Sequence, residues 1–165
     1  MAKYLDPKND VVFKRIFGEH PKLLVSLLNA LIPLKKEQKI ESVEYLPSEV
    51  LPFNPKGKRT VVDVRCKDNH GQQFLVEMQM VWNTRFENRM LYNTAKAYSR
   101  QLHNAGEYLE LKAVYGLGIL NTNFDHKTDK YYHHFQMAER GNPDKVLEGM
   151  EIVLVELKKF KPAAE

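Results

Sequence analysis

Cysteine is nearly missing from this chain. A single one, Cys66, among 165 residues excludes an intramolecular disulfide and a cysteine-based zinc site. It reads as a small strand hydrophobe. Long apolar runs are missing too: no stretch of about 18 apolar residues is available to cross a bilayer. No N-terminal segment has the make-up of a signal peptide, so the cytoplasm is the expected compartment. The six histidines form no metal motif, because His133 and His134 are adjacent and in a strand point to opposite faces. A Walker-type phosphate loop is absent as well. Gly116-Leu117-Gly118 sits inside an apolar strand pattern, and ATP dependence is not indicated. Neither repeats nor low-complexity segments occur.

What is present suits one compact domain over residues 1–165, with 43% hydrophobic and 28% charged residues. A net charge of +4 and a pI near 9.0 are compatible with nucleic acid without singling it out. Asn9 or Asp10 can cap a short helix that carries Val12, Phe13, Ile16 and Phe17 inward and ends at Gly18. Pro21 then opens a second helix with Leu23, Leu24, Leu27, Leu28 and Leu31 inward. Strands are expected over 40–46, 112–120, 131–137 and 151–158, and a helix over about 84–103. The polar, Pro-rich stretch 47–58 reads as a loop between strands. The order is α, three β, α, β, and the fold class expected is α/β.

The most informative stretch is Thr60–Lys67, a turn at Asp68-Asn69-His70-Gly71, and Gln72–Met80. Both arms alternate at period 2 and are rich in β-branched and aromatic residues, as a β-hairpin requires. If Asn69-His70-Gly71 is a three-residue loop with Gly71 left-handed, the register sets Asp63 opposite Glu77. Like charges that close destabilise a strand pair. A hard divalent cation compensates them well, since Mg²⁺ prefers carboxylate and carbonyl oxygens and retains water and phosphate as further ligands. Gln79, two residues after Glu77, shares its face. On the helix that follows, Arg85, Arg89, Lys96 and Arg100 fall within an arc of roughly 60°, while Leu91, Ala95, Tyr98 and Leu102 form another face, read as the core side.

Asp63 followed by Glu77-Met78-Gln79 resembles the PD-(D/E)XK nuclease superfamily, with Gln in place of the last Lys. Asp10–Gly18, Leu28-Asn29-Ala30-Leu31, Asp63-Val64-Arg65-Cys66, Glu77–Met80, Phe86-Glu87-Asn88-Arg89 and Val114-Tyr115-Gly116 are similar to the bacterial Rpn family. Those proteins are described as recombination-promoting nucleases or PD-(D/E)XK transposases, and the likeness runs over nearly the whole chain. Members are usually longer, so a C-terminal portion of the family is expected to be missing. The resemblance implies a restriction-endonuclease-like core, a mixed sheet flanked by helices. It implies a metal-dependent DNA endonuclease linked to recombination or transposition, with Mg²⁺, or alternatively Mn²⁺, held by Asp63, Glu77 and the Met78 carbonyl.

Each residue has a plainer reading beside this one. Asp63 and Glu77 are otherwise ordinary strand acids paired with Arg65 or Lys67. Gln79 is neither a base nor a cation and can only hydrogen-bond the attacking water; Arg89 or Lys96 is available to supply the missing charge. Asp10 is an N-cap or, as in part of the superfamily, an acid that reaches the metal; Lys14 is an accessory residue or plain surface. Arg85, Arg89, Lys96 and Arg100 are phosphate contacts for DNA or a solvated face. Trp82 stacks on a base or, more ordinarily, joins the core. Three functions stay open: a nuclease, a weak or inactive nucleic-acid-binding domain, and a protein-interaction module. A cut through both DNA strands would favour a homodimer; no membrane partner is expected.

Overall fold

A computed structural model describes residues 5–50, 60–102 and 107–161. Asn9 caps helix α1 (Asp10–Glu19), its side chain accepting from the Val11 N–H at 3.0 Å. Asp10 is therefore the first helical residue and not the cap, and the helix runs one residue past Gly18. Helix α2 (Pro21–Leu31) begins at its proline, whose missing N–H costs nothing in a first turn. It buries Leu24 and Leu28, while Leu23, expected inward, is exposed.

Six strands form one sheet, in the order β1 (Val43–Tyr45), β4 (Val64–Asp68), β5 (Gln73–Gln79), β6 (Val114–Leu120), β8 (Asn142–Glu156), β7 (Tyr132–Glu139). β5, β6 and β8 are mutually parallel, and the outer pairs are antiparallel. Helix α3 (Thr84–Ser99) crosses over from β5 to β6. This is the mixed sheet flanked by helices that the resemblance implies. β6 is the central strand and is buried along its whole length, as expected for a parallel strand covered on both faces. The first expected strand shrinks to three residues. The last one grows to fifteen, because β7 folds back along β8 beyond the core. The first hairpin arm breaks after Val61: Thr60–Val61 (β3) pairs instead with Glu49–Val50 (β2), so that stretch 47–58 holds a strand residue pair where a loop was expected. Residues 51–59 of that stretch and 103–106 of the expected long helix lie outside the described residues.

The sheet separates two apolar layers. On one side Phe13, Leu24 and Leu28 of the first two helices pack on Val64, Cys66, Phe74, Val76, Met78, Leu117, Val153 and Val155. On the other, α3 places Phe86 and Met90 against Leu120 and Leu154, and Ala97 against Leu75 and Val114. The buried residues of α3 are thus Phe86, Met90, Asn93, Thr94, Lys96 and Ala97; of the expected Leu91, Ala95, Tyr98 and Leu102, Tyr98 packs partly buried against Leu75, Ala97 and Val114, whereas Leu91 is exposed. The reason lies in β6. Gly116 and Gly118 carry no Cβ, and a Cβ there would stand 2.6 Å from Thr94 Oγ1 and 3.0 Å from Phe86. The helix is seated on two glycines, and its polar Asn93 and Thr94 go down with it. Trp82 joins this layer against Phe86 and Phe124, the core role expected of it.

Candidate active site

The turn sets the geometry. Asp68 and Gln72 close a three-residue loop, with Asp68 N–H donating to the Gln72 carbonyl at 3.0 Å and Gly71 at φ +81°. The Asp68 carboxylate accepts from the His70 and Gln72 N–H groups, both at 2.9 Å, and locks the turn. From there Lys67 pairs with Gln73 and Val64 with Val76. Continued by one residue, this register puts Asp63 across from Glu77, as the loop length predicts. Asp63 itself lies just outside β4, in a bend. Its Oδ2 accepts from the Met78 N–H at 2.7 Å, which ties the acid to the neighbouring strand.

Two cations neutralise the two acids, and they arrive from opposite layers. From α1, Lys14 Nζ stands 3.2 Å from Asp63 Oδ1 and 3.1 Å from Asp10 Oδ2. From α3, Arg89 donates to Glu77 Oε2 through Nε at 3.1 Å and Nη2 at 2.8 Å. Asn93 Nδ2 donates to Glu77 Oε1 at 3.1 Å. Arg89 Nη2 also donates to Gln79 Oε1 at 3.2 Å, and Gln79 Nε2 donates to the Val81 carbonyl at 2.6 Å. The Arg89 guanidinium lies over the Phe86 ring, 5.1 Å from its centroid. Arg65 and Lys67, the ordinary partners considered above, are engaged elsewhere, with Gln73 and Glu44.

Burial decides the electrostatics. Glu77 is 3% exposed, and desolvation pushes its pKa up. The charge and hydrogen bonds of Arg89 and the Asn93 amide pull the other way, and the Asp63 charge adds to the upward push. Asp63 is likewise raised, chiefly by desolvation, against the downward pull of the Met78 N–H and Lys14. Desolvation lowers Lys14, but its bonds to Asp10 and Asp63 and their charges outweigh this and leave it raised, a firmly protonated ammonium. Asn93 is fully buried, and its Oδ1 has no hydrogen-bond partner.

Among the described residues no cluster of three or more His, Cys, Asp or Glu converges on one point. A cation held by Asp63 and Glu77 would complete its shell with carbonyl, amide or water oxygens, as Mg²⁺ commonly does. The donor set fits: two carboxylates and an amide at one end of the sheet, with a guanidinium standing where a cation neutralises Glu77.

Of the other expected residues, Arg85 is exposed in the first turn of α3, whereas Arg89 reaches in to Glu77. Lys96 is buried and stands 5.6 Å from the Tyr92 ring centroid, and Arg100 is the C-cap of the helix. The structure therefore brings Asp63, Glu77, Gln79, Arg89, Lys14 and Asp10 together and sets Lys96 apart from them. Asn93 was missed, because a polar residue in a helix gives no sign of facing inward until its seat is known. Lys14 stands at Asp63 because the fold carries α1 to the start of β4, a contact that local pattern does not give. His133 and His134 do face opposite ways and pair with Glu156 at 2.8 Å and Glu151 at 2.6 Å.

A family model described as PD-(D/E)XK nuclease family transposase matches residues 7–165. No curated protein and no solved structure matches the chain. No helix among the described residues is long and apolar enough to cross a membrane.

Proposed function

Because the chain belongs to the PD-(D/E)XK nuclease family transposases, we propose that it is a metal-dependent DNA endonuclease that breaks phosphodiester bonds in recombination or transposition. The observation that carries this reading is the meeting of Asp63 and Glu77 at one end of the sheet between Lys14 and Arg89. Asp63, Glu77 and the Met78 carbonyl are the residues that would hold Mg²⁺ or Mn²⁺. Such an ion polarises a phosphoryl oxygen and lowers the pKa of bound water.

The protein's own groups divide the remaining work. Lys14, kept protonated by two acids, acts by charge and not as a base; two of its three N–H donors serve Asp10 and Asp63, which leaves one for a phosphate oxygen. It is a positive group beside the acid pair in a chain whose motif has Gln for Lys. Gln79 keeps one N–H and one lone pair beyond its bonds to Arg89 and Val81, enough to orient a water. Arg85 and Arg89 supply sequence-independent phosphate contacts. Arg100 stands further along the helix as flanking charge, whereas Lys96 is buried beside Tyr92; a cut through both strands calls for two copies of the chain.

One observation favours a second reading. Glu77 already has both oxygens engaged by Arg89 and Asn93, an arrangement that is stable without a metal and would suit a weak or inactive nucleic-acid-binding domain. Calorimetric titration of Mn²⁺ separates the two. The nuclease reading requires saturable binding that Asp63→Ala and Glu77→Ala each abolish; equal heats from all three proteins would leave the binding domain.

A further inference from the structure

Beside α3, next to the acid pair, lies a cleft of about 430 Å³ lined by Thr60, Arg85, Asn88, Arg89 and Tyr92. The four helical residues follow the i, i+3, i+4, i+7 spacing that puts side chains on one stripe, and Thr60 of β3 forms the facing wall. Arg89 is common to cleft and acid pair, since its guanidinium holds Glu77 at 2.8 Å. An occupant of the cleft is therefore separated from the acids by one side chain.

The lining has the chemistry of a single nucleotide. Arg85 offers a guanidinium fork that matches a phosphate; Arg89, whose Nε and Nη2 serve Glu77 and Gln79, adds its positive charge and its Nη1 N–H groups, and no acid lines the cleft among the described residues. Tyr92 offers a partly exposed aromatic ring, on which a base can stack whatever its sequence. Asn88 carries the amide that pairs in two-point fashion with an adenine edge. Thr60 is buried, and its hydroxyl has no hydrogen-bond partner, an unmet polar atom in the wall. The volume lies within the range of small-ligand pockets.

We infer that this cleft is a nucleotide subsite of the nuclease, receiving one unstacked nucleotide beside the bond to be cut, with its phosphate on Arg85 and Arg89, its base on Tyr92 and its base edge on Asn88. The inference rests on the endonuclease reading and deepens it: the preferred substrate is a DNA with an unpaired nucleotide at the cut, not a uniform duplex. A duplex would first have to unstack that base, at a cost of a few kcal/mol.

The test is photocrosslinking of a short single-stranded oligonucleotide carrying one 5-iodouracil, with EDTA present to block cleavage, mapped by peptide mass spectrometry. Binding of an unmodified oligonucleotide is measured in parallel for wild type, Tyr92→Ala, Tyr92→Phe and Asn88→Ala. Crosslinks at Tyr92, with binding weakened about tenfold by Tyr92→Ala and kept by Tyr92→Phe, are expected. Crosslinks elsewhere, or Tyr92→Ala binding like wild type while thermal melts show it folded, would overturn the subsite. Metal-dependent plasmid cleavage is scored separately. Cleavage with an unaltered Tyr92→Ala leaves the nuclease and removes the subsite; crosslinking at Tyr92 without cleavage does the reverse; neither activity removes both.

Discussion

At the residue scale the site is a problem of buried charge. A buried carboxylate without a partner is strongly unfavourable, and Glu77 is tolerated because Arg89 and Asn93 reach it from α3. Arg89→Met should therefore lower stability at neutral pH by about 2 kcal/mol, the scale of a hydrogen bond to a charged group. The sign with pH follows from the raised pKa of Glu77. Protonation is favoured in the folded state, so the stability associated with it is fully present below the ordinary carboxylate value and lost as pH rises through the folded one. The deficit of Arg89→Met should accordingly shrink on acidification, which thermal melts across that window will show; a deficit independent of pH contradicts the assignment. Lys14 acts on the other acid. It pulls Asp63 down against desolvation, and protons compete with a metal for that carboxylate. Lys14→Met should shift the midpoint of Mn²⁺ binding against pH upward, and Lys14→Arg should restore much of it. An unchanged midpoint would mean that Lys14 is surface decoration.

At the element scale, three local features deliver those side chains. The turn around Gly71 fixes register, and Gly71 at φ +81° holds a left-handed backbone that other residues rarely adopt, with a Cβ there 3.3 Å from the Lys112 side chain. Gly71→Ala should cost about 1–2 kcal/mol, the price of a left-handed L-residue, measured by denaturant melts. The seat of α3 on β6 matters more for the site. A Cβ on Gly118 would lie 2.7 Å from Leu154 and 3.0 Å from Phe86, so Gly118→Ala should cost about 1–3 kcal/mol by overpacking. It should also displace Arg89 and Asn93 from Glu77, seen as altered Mn²⁺ affinity in a protein that still folds. The hairpin register was legible in the sequence because a short loop with one glycine leaves few alternatives. The face of α3 was not. Its apolar residues suggested Leu91 and Leu102 inward, whereas two glycines on a strand distant in sequence decided for Met90, Asn93 and Thr94.

At the scale of the whole molecule, the acids gain their partners because α1 and α3 reach the same end of the sheet from opposite faces. The sequence announced the central strand, the helices and the acid pair, all of which rest on local pattern. It did not announce that α1 brings Lys14 to Asp63, since 49 positions of chain separate residues 14 and 63. Nor did it announce the length of β8, whose outer half carries mostly exposed residues and borrows its order from β7. If Lys14, Arg85 and Arg89 meet a DNA backbone, binding must fall steeply with salt, with a logarithmic slope of about −0.9 per phosphate engaged. Anisotropy titrations at several salt concentrations check this, and a flat response excludes phosphate contacts. The most direct measurement is nicking of supercoiled plasmid by wild type, Asp63→Ala and Glu77→Ala, each with Mg²⁺, Mn²⁺ or EDTA. Metal-dependent nicking by wild type that both substitutions abolish is the result expected; three proteins that behave alike, or a wild type indifferent to metal, would contradict the nuclease site.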